Sequence, residues 1–186
     1  KVRALGQGRF AVAEPGLDGL LGEAIAGRRL RATVDAADAV QATEVSLLCV
    51  GTPAGPGGDV DLRQVVAASH DIGAALRRKG GRHVVVVRST VLPGTVRGTV
   101  APLIEAASGR RPGVGLGLAA VPEFLRRGSA VDDFFNPPQI VIGVDGEETA
   151  SEIVPLFRAL NGPLSLGTIE AAEMVKYVSN AWHGLK

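Results

Sequence analysis

Short apolar runs alternate with longer segments of helical periodicity along most of the chain. The clearest run is Val84-Val85-Val86-Val87, whose four β-branched residues are typical of a strand buried on both faces of a parallel sheet. Further strands are predicted at residues 30–34, 45–50, 114–121, 139–144 and 163–166. Helices are predicted near residues 1–5, 17–25, 36–40, 62–79, 93–107 and 147–160, and from Thr168 onward. This alternation predicts an α/β fold with a doubly wound, mostly parallel sheet.

Capping residues and apolar spacing sharpen two of the predicted helices. Asp61 is expected to cap the helix at 62–79, whose inward positions would be Val65, Val66, Ile72 and Leu76. Thr168 is expected to cap the last helix, and the only domain boundary that the sequence indicates lies near it. We therefore predict one domain over residues 1–167 and a separate helical segment over residues 168–186.

Composition narrows the function classes without selecting one. Of 186 residues, 46% are hydrophobic and 21% are charged, and the formal net charge is +1. These values are ordinary for a globular protein and give no reason to expect nucleic acid or an anionic membrane surface as a partner. No apolar run reaches about 18 residues, so no membrane span is predicted. The single Cys49 cannot form an internal disulfide, which fits a cytoplasmic protein.

Polar turns follow three of the predicted strands: Gly51-Thr52-Pro53, Ser89-Thr90 and Pro122-Glu123. Parallel strands end at one edge of a sheet, where α/β proteins bind ligands, so Thr52, Thr90 and Glu123 are expected on a common rim. Two hydroxyls and a carboxylate suit a nucleotide cofactor and a polar substrate. Alternatively, Ser89 and Thr90 only cap and turn the chain. Pro93-Gly94 can then open a helix whose first turn supplies free N–H groups.

The final helix carries a polar stripe. Lys176, Asn180 and His183 fall at positions i, i+4 and i+7 and so share one face, with apolar sides formed by Ile169, Ala172, Val175, Val178 and Trp182. A cation, an amide and an imidazole on one stripe could hold a developing oxyanion and a phosphate or hydroxyl group. The alternative is a solvated polar face.

Other reactive residue types have simpler interpretations. Glu123 could act as a general base, or it could cap a helix-like turn at 124–127. Cys49 lies in an apolar run and is interpreted as a small core residue rather than a nucleophile. His70 and His83 are expected to be surface or packing residues. No Cys/His cluster has metal-ligand spacing, so no metal site is predicted.

Five motifs occur in an order and spacing that resemble a known family. They are Cys49-Val50-Gly51-Thr52-Pro53, Gly58-Asp59-Val60-Asp61-Leu62, Arg88-Ser89-Thr90-Val91-Leu92-Pro93-Gly94-Thr95, Pro122-Glu123-Phe124-Leu125-Arg126, and Ala172-Glu173-Met174-Val175-Lys176-Tyr177 with Asn180. Together they are similar to the nucleotide-sugar 6-dehydrogenases, the UDP-glucose/GDP-mannose dehydrogenase family. The resemblance covers essentially the whole chain and implies a Rossmann-like NAD-binding domain, incomplete here, followed by the start of a long central connecting helix.

The resemblance also implies an activity. Such enzymes oxidise the primary alcohol of a nucleotide sugar twice with two NAD molecules, through a cysteine thiohemiacetal and thioester that water hydrolyses to the uronate. Three motifs are most similar to the GDP-mannose branch of the family: Arg88-Ser89-Thr90-Val91-Leu92-Pro93-Gly94-Thr95, Pro137-Pro138 with Val141-Ile142-Gly143, and Asn180-Ala181-Trp182-His183. The implied reaction is therefore oxidation of GDP-mannose to GDP-mannuronate. UDP-glucose or a UDP-N-acetylhexosamine is the alternative substrate.

Site roles follow from the same resemblance. For the cofactor, Thr52 and Thr90 would line the NAD site and Lys1 would lie near its adenosine end. The catalytic and substrate-binding residues would be Glu123, Lys176, Asn180 and His183. Of these, the carboxylate would act as a base or orient water, the lysine and the amide would stabilise oxyanion intermediates, and the histidine would contact the nucleotide sugar.

The chain departs from the family pattern in several respects. The Gly-rich phosphate turn, its strand and the acidic residue for the ribose are absent, as are the region of the nucleophilic cysteine and the C-terminal domain. Cys49 does not match the nucleophile's motif, and Arg127 stands where the family has a second Glu. We therefore expect a fragment, cut at both ends and inactive alone, of a homo-oligomeric enzyme. A non-catalytic nucleotide-sugar-binding remnant is an alternative, and a hydroxyacid dehydrogenase would explain neither Glu123 nor the stripe.

Overall fold

The computed structural model describes residues 2–5, 13–55 and 57–185. Its helices are α1 (Val2–Leu5), α2 (Leu17–Ala26), α3 (Ala36–Gln41), α4 (Arg63–Leu76), α5 (Ala101–Ser108), α6 (Ala130–Phe135), α7 (Glu147–Phe157) and α8 (Ile169–Leu185), and a π-helical turn (Val96–Val100) precedes α5. Its strands are β1 (Val45–Leu48), β2 (His83–Val87), β3 (Arg111–Pro112), β4 (Gly115–Ala120), β5 (Ile140–Val144) and β6 (Leu164–Gly167). None of the helices in the described ranges is both long and apolar enough to cross a bilayer.

The strands form one mostly parallel sheet, which confirms the predicted fold class. The strand order is β1-β2-β4-β5-β6, and β3 pairs with β4 beside this path. The pairs β1–β2, β2–β4 and β5–β6 are parallel, whereas β4 and β5 are antiparallel. The carboxyl ends of β1, β2 and β4 therefore meet at the same edge of the sheet, as the sequence predicted.

Both faces of the sheet are covered around β2. Val85 and Val87 pack with residues of α4 and α5 on one face, while Val84 and Val86 pack with α7 on the other. All four valines are at most 2% exposed. The unbroken apolar run of β2 follows from this burial on two sides, because successive side chains of a strand point to opposite faces.

Three details of the predicted elements were wrong. Residues 30–34 form no strand, and Val34 is 89% exposed. No strand in the described ranges pairs with this segment, and a strand cannot form without a pairing partner. Residues 124–126 are not helical, whereas Ala130–Phe135 form α6, a helix that the sequence did not predict. Val66 is 38% exposed because it lies a third of a turn around α4 from Val65, which is fully buried.

Capping matches the predictions more closely. Thr168 Oγ1 accepts a hydrogen bond from Ala171 N at 3.2 Å and so caps α8. Asp61 lies one residue before the N-cap of α4 but still accepts a hydrogen bond from Arg63 N at 3.0 Å. Along α8, Ile169 and Ala172 are buried, whereas Val178 and Trp182 are about 60% exposed. The carboxyl-terminal half of α8 thus extends beyond the core of the domain.

Candidate functional site

The loops after β1 and β2 are tied together by hydroxyl groups. Thr52 Oγ1 donates to Thr90 O at 2.7 Å, and Ser89 Oγ donates to Val50 O at 2.7 Å. Ser89 therefore has the turn-stabilising role that the sequence left open. Thr52 and Thr90 line an open cleft of about 590 Å³ together with Glu123. The three rim residues predicted from the strand ends are thus brought together.

The turn that follows β2 is not free to bind a ligand through its N–H groups. Gly94 N donates to Glu173 Oε2 at 2.6 Å, and Val96 N donates to Glu173 Oε1 at 2.8 Å. Glu173 belongs to α8 and is 3% exposed. Burial raises the pKa of this carboxyl, and the two N–H donors partly offset the rise. The prediction of free N–H groups here was wrong, because a carboxylate of the same chain occupies them.

Glu123 and Lys176 meet where the loop after β4 reaches α8. Lys176 Nζ donates to Glu123 O at 2.5 Å and lies 3.6 Å from Glu123 Oε1. The same ammonium lies 5.2 Å from the ring centroid of Phe124, within the range of a cation–π contact. Glu123 Oε2 also accepts a hydrogen bond from Leu125 N at 2.6 Å. The Glu123 side chain therefore stabilises its own loop and faces a buried cation.

Two further carboxylates fix the loop after β4, and no pattern in the sequence indicated either contact. Glu14 accepts hydrogen bonds from Gly128 N at 2.9 and 3.0 Å. Asp133 in α6 accepts hydrogen bonds from Arg126 N at 2.8 Å, from the Arg126 guanidinium at 2.6 Å and from the Ser129 hydroxyl at 2.9 Å. The Arg126 guanidinium holds the pKa of the Asp133 carboxyl far below its usual range. The loop that carries Glu123 is therefore anchored at several points.

A second open cleft, of about 830 Å³, is also lined by residues of this loop. Lys176 and Asn180 of α8 line it, together with Phe124 and Arg126. Asn180 is exposed, and so is Arg127 in the loop that carries Glu123. His183 lies in α8, but its side chain is outside the described part of the structure, and Lys1 also lies outside the described residues.

Cys49 is not the core residue that the apolar run suggested. Strand β1 ends at Leu48, and Cys49 follows it as an exposed residue on the wall of the first cleft. Desolvation raises the pKa of the Cys49 thiol, although Arg88 counteracts the rise, so the thiol is protonated at neutral pH and weakly nucleophilic. His83 is fully buried and its Nε2 lies 2.9 Å from Ser46 Oγ, which agrees with a packing role.

Relatives of this chain are nucleotide-sugar dehydrogenases. The GDP-mannose 6-dehydrogenase of Pseudomonas putida is 44% identical over 186 residues, which cover all of this chain but 42% of that protein. The UDP-glucose 6-dehydrogenase of Haloferax volcanii is also 44% identical, over 97% of this chain and 43% of that protein. The chain thus spans about two fifths of the length of these relatives.

Solved structures agree with the sequence relatives. A ternary complex of GDP-mannose dehydrogenase from Pseudomonas aeruginosa superposes with a TM-score of 0.97 at 44% identity, over all of this chain and 42% of that one. A UDP-glucose dehydrogenase from Pyrobaculum islandicum gives a TM-score of 0.92 at 44% identity, over 97% of this chain and 41% of that one. The Rossmann-like architecture is therefore shared with enzymes named for two different sugars.

A family model also matches most of the chain. It describes the NAD binding domain of the UDP-glucose/GDP-mannose dehydrogenase family, and it covers residues 1–161. NAD is accordingly the cofactor of the matched domain. The chain belongs to the UDP-glucose/GDP-mannose dehydrogenase family.

Proposed function

We propose that this chain forms the NAD-binding domain (residues 1–167) and the start of the central connecting helix (residues 168–186) of a nucleotide-sugar 6-dehydrogenase. The reaction is the oxidation of GDP-mannose to GDP-mannuronate with two NAD. The observation that carries this proposal is the contact of the Lys176 ammonium with Glu123, at the loop that lines both clefts. The complete protein is expected to be cytoplasmic and homo-oligomeric.

The first cleft suits the cofactor. Its rim presents the hydroxyls of Thr52 and Thr90 at the carboxyl ends of parallel strands, where dinucleotides bind in doubly wound sheets. These two threonines would hold NAD, with Lys1 near its adenosine end. NAD accepts a hydride from the substrate when it is bound. The Thr52–Thr90 hydrogen bond supports this assignment, because it fixes the two loops relative to each other before any ligand arrives.

The second cleft suits the sugar. An ammonium that is only 9% exposed lies at its wall, and the Asn180 amide is one helical turn away on the same face. Lys176 and Asn180 would stabilise the negative charge that develops on the substrate oxygen, since preorganised donors in a partly desolvated site are effective for this purpose. Glu123 would take up a proton or orient water, and His183 would contact the nucleotide sugar.

The choice of sugar rests on motifs rather than on overall similarity. The chain is 44% identical both to a GDP-mannose 6-dehydrogenase and to a UDP-glucose 6-dehydrogenase. UDP-glucose or a UDP-N-acetylhexosamine is therefore the competing substrate. A non-catalytic nucleotide-sugar-binding protein is a second candidate. The observation that favours it is the exposed Arg127, at a position where the family has a Glu.

The test is NADH formation by the complete protein with GDP-mannose, UDP-glucose and UDP-N-acetylglucosamine. We expect two NADH per GDP-mannose and the highest kcat/KM for that sugar. Lys176→Met should lower kcat by about 10²- to 10³-fold, the usual effect of removing one oxyanion donor. Arg63→Met, which removes a cation that is 90% exposed, should leave kcat unchanged.

The alternatives predict other results in the same assay. Preferred turnover of a UDP-sugar would reassign the substrate, and binding of NAD and nucleotide sugar without NADH formation would support the non-catalytic alternative. The 186-residue chain alone should form no uronate, because the cysteine chemistry lies outside it. Any turnover by the chain alone would contradict this part of the proposal.

A further inference from the structure

Helix α8 contacts the two neighbouring loops of the rim through two different side chains. Glu173 accepts hydrogen bonds from the N–H groups of Gly94 and Val96 in the segment after β2. Lys176 donates to Glu123 O in the loop after β4. The two side chains stand at i and i+3 and therefore share one side of the helix. A single turn of α8 thus joins the segment after β2, on the cofactor side, to the loop that carries Glu123.

The bridge is buried and continuous with the cofactor rim. Glu173 is 3% exposed and Lys176 is 9% exposed. Both line one small pocket, and Thr90 lines it as well. The carboxylate accepts two backbone donors at 2.6 and 2.8 Å, one on each oxygen, which fixes its direction as well as its distance. Such a two-point contact leaves α8 little freedom to rotate or slide against the segment after β2.

We propose that Glu173 is a positioning residue that holds the Lys176 ammonium at a fixed place relative to Thr90. The proposal rests on the proposed function, in which Lys176 acts on the substrate and Thr90 contacts NAD. Glu173 would keep these two residues aligned. Glu173 does not contact the reacting atoms. It acts through α8, and its loss lets the helix shift while NAD can still bind at Thr52 and Thr90.

A matched control lies on the same helix. Glu170 Oε1 pairs with Arg97 Nε at 2.8 Å, so it joins α8 to the same π-helical segment. In contrast to Glu173, this pair is exposed, with side chains 43% and 46% accessible. Exposed ion pairs contribute little to fixing a structure. Glu170→Gln therefore removes one carboxylate from α8 without removing the buried bridge.

The experiment compares Glu173→Ala, Glu173→Gln and Glu170→Gln in the complete protein, with kcat, the KM for NAD and the KM for the nucleotide sugar measured per folded enzyme. We expect Glu173→Ala to lower kcat by about 10- to 100-fold, as misplacement of a catalytic group by roughly 1 Å does, with the KM for NAD changed less than threefold. Glu173→Gln retains one acceptor oxygen and should recover part of kcat. Glu170→Gln should keep kcat within twofold of wild type.

Hydrogen exchange gives a second measurement that does not depend on turnover. The amides of Gly94 and Val96 should exchange faster in Glu173→Gln than in wild type, and the same as wild type in Glu170→Gln. Unchanged kcat per folded Glu173→Ala enzyme, even with a lower Tm, would show a merely structural role and overturn the inference alone. An inactive wild-type protein would overturn the proposed function and, with it, this inference.

Discussion

Strand β2 has an arginine beside each of its ends, and the two arginines have opposite environments. Arg82, before the strand, pairs with Glu148 at 3.0 Å and Glu152 at 3.0 Å, and donates to the Thr149 hydroxyl at 2.7 Å. Its side chain is 16% exposed. The Arg82 guanidinium is therefore enclosed by acceptors from α7. This end of the strand has a purely structural cation.

Arg88, after the strand, faces an open cleft and forms no ion pair among the described residues. Its guanidinium lies 5.5 Å from the ring centroid of Phe157 and lines the cleft that also contains Thr52 and Thr90. Among the described residues, no carboxylate lies within ion-pair distance of it. Burial lowers the pKa of Arg88, and Cys49 and Glu123 only partly offset this. A desolvated cation without a carboxylate at ion-pair distance among the described residues, at the carboxyl edge of a sheet, is typical of a ligand site.

The largest effect on stability is expected at Arg82, the structural cation before β2. Arg82→Met leaves the Glu152 carboxylate and the buried Thr149 hydroxyl without their donor. We expect the free energy of unfolding to fall by about 2 to 3 kcal/mol, the usual range for lost hydrogen bonds to a charged group. Urea unfolding of the chain measures this. Arg78→Met, at an exposed position, is the control, and equal stability of the two variants would contradict the assigned role of Arg82.

Gly117 provides the space that Arg82 occupies. A Cβ atom at this position would lie 2.7 Å from Thr149 Oγ1 and 2.9 Å from Arg82 Nη2. Gly117→Ala should therefore destabilise the chain by about 2 kcal/mol. Gly22→Ala, a helical position with nothing within 4 Å of the added Cβ, should be neutral or stabilising.

A double mutant tests whether the two residues act as one unit. Gly117→Ala with Arg82→Met should cost less than the sum of the single changes, because the methionine can move away from the added methyl group. Strict additivity in urea unfolding would show that the clash with Arg82 is not the cause of the destabilisation.

His83, at the same end of β2 as Arg82, makes the stability of the fold depend on pH. Burial, assisted by the nearby charges of Lys79 and Arg110, lowers the pKa of His83 to about 4, although Thr43 and Glu44 act in the opposite direction. The unfolded chain binds a proton on this side chain near pH 6.5, so stability is full above that pH and is lost as the pH falls toward 4. We expect a loss of about 1 kcal/mol between pH 7 and pH 5.5.

A His83→Gln variant isolates this contribution, because it removes the titrating group and keeps a polar side chain. The difference in unfolding free energy between wild type and His83→Gln should change over this pH interval and stay constant above pH 7.5. Ser46→Ala retains the imidazole and should keep the pH dependence, although it loses the Ser46 hydroxyl that lies 2.9 Å from His83. Parallel pH profiles for wild type and His83→Gln would contradict the pKa assignment.

The sequence could predict the strand ends of the site but not the groups that fix them. Thr52, Thr90 and Glu123 follow strands whose apolar runs are easy to recognise, and parallel pairing brings them together whatever the details. The contact between Glu173 and Gly94 joins residues 79 positions apart, so it depends on how α8 packs and on nothing local. Cys49 was misassigned for a related reason: the apolar run continues past Leu48, whereas the strand itself ends there.

The smallest effect on stability, and the sharpest contrast, is expected at Arg88. Arg88→Met leaves no described carboxylate unpaired and keeps the packing against Phe157, so the free energy of unfolding should change by less than about 1 kcal/mol. NAD carries an anionic pyrophosphate, and removal of this cation from the cleft wall should weaken NAD binding to the complete protein by about tenfold. Calorimetric titration with NAD measures this, and Arg82→Met should retain the wild-type affinity in its folded fraction. Loss of stability in Arg88→Met without loss of NAD affinity would make the two arginines equivalent. Loss of NAD affinity in Arg88→Met without loss of stability would show that the two arginines differ in role: Arg82 stabilises the domain and Arg88 binds the ligand.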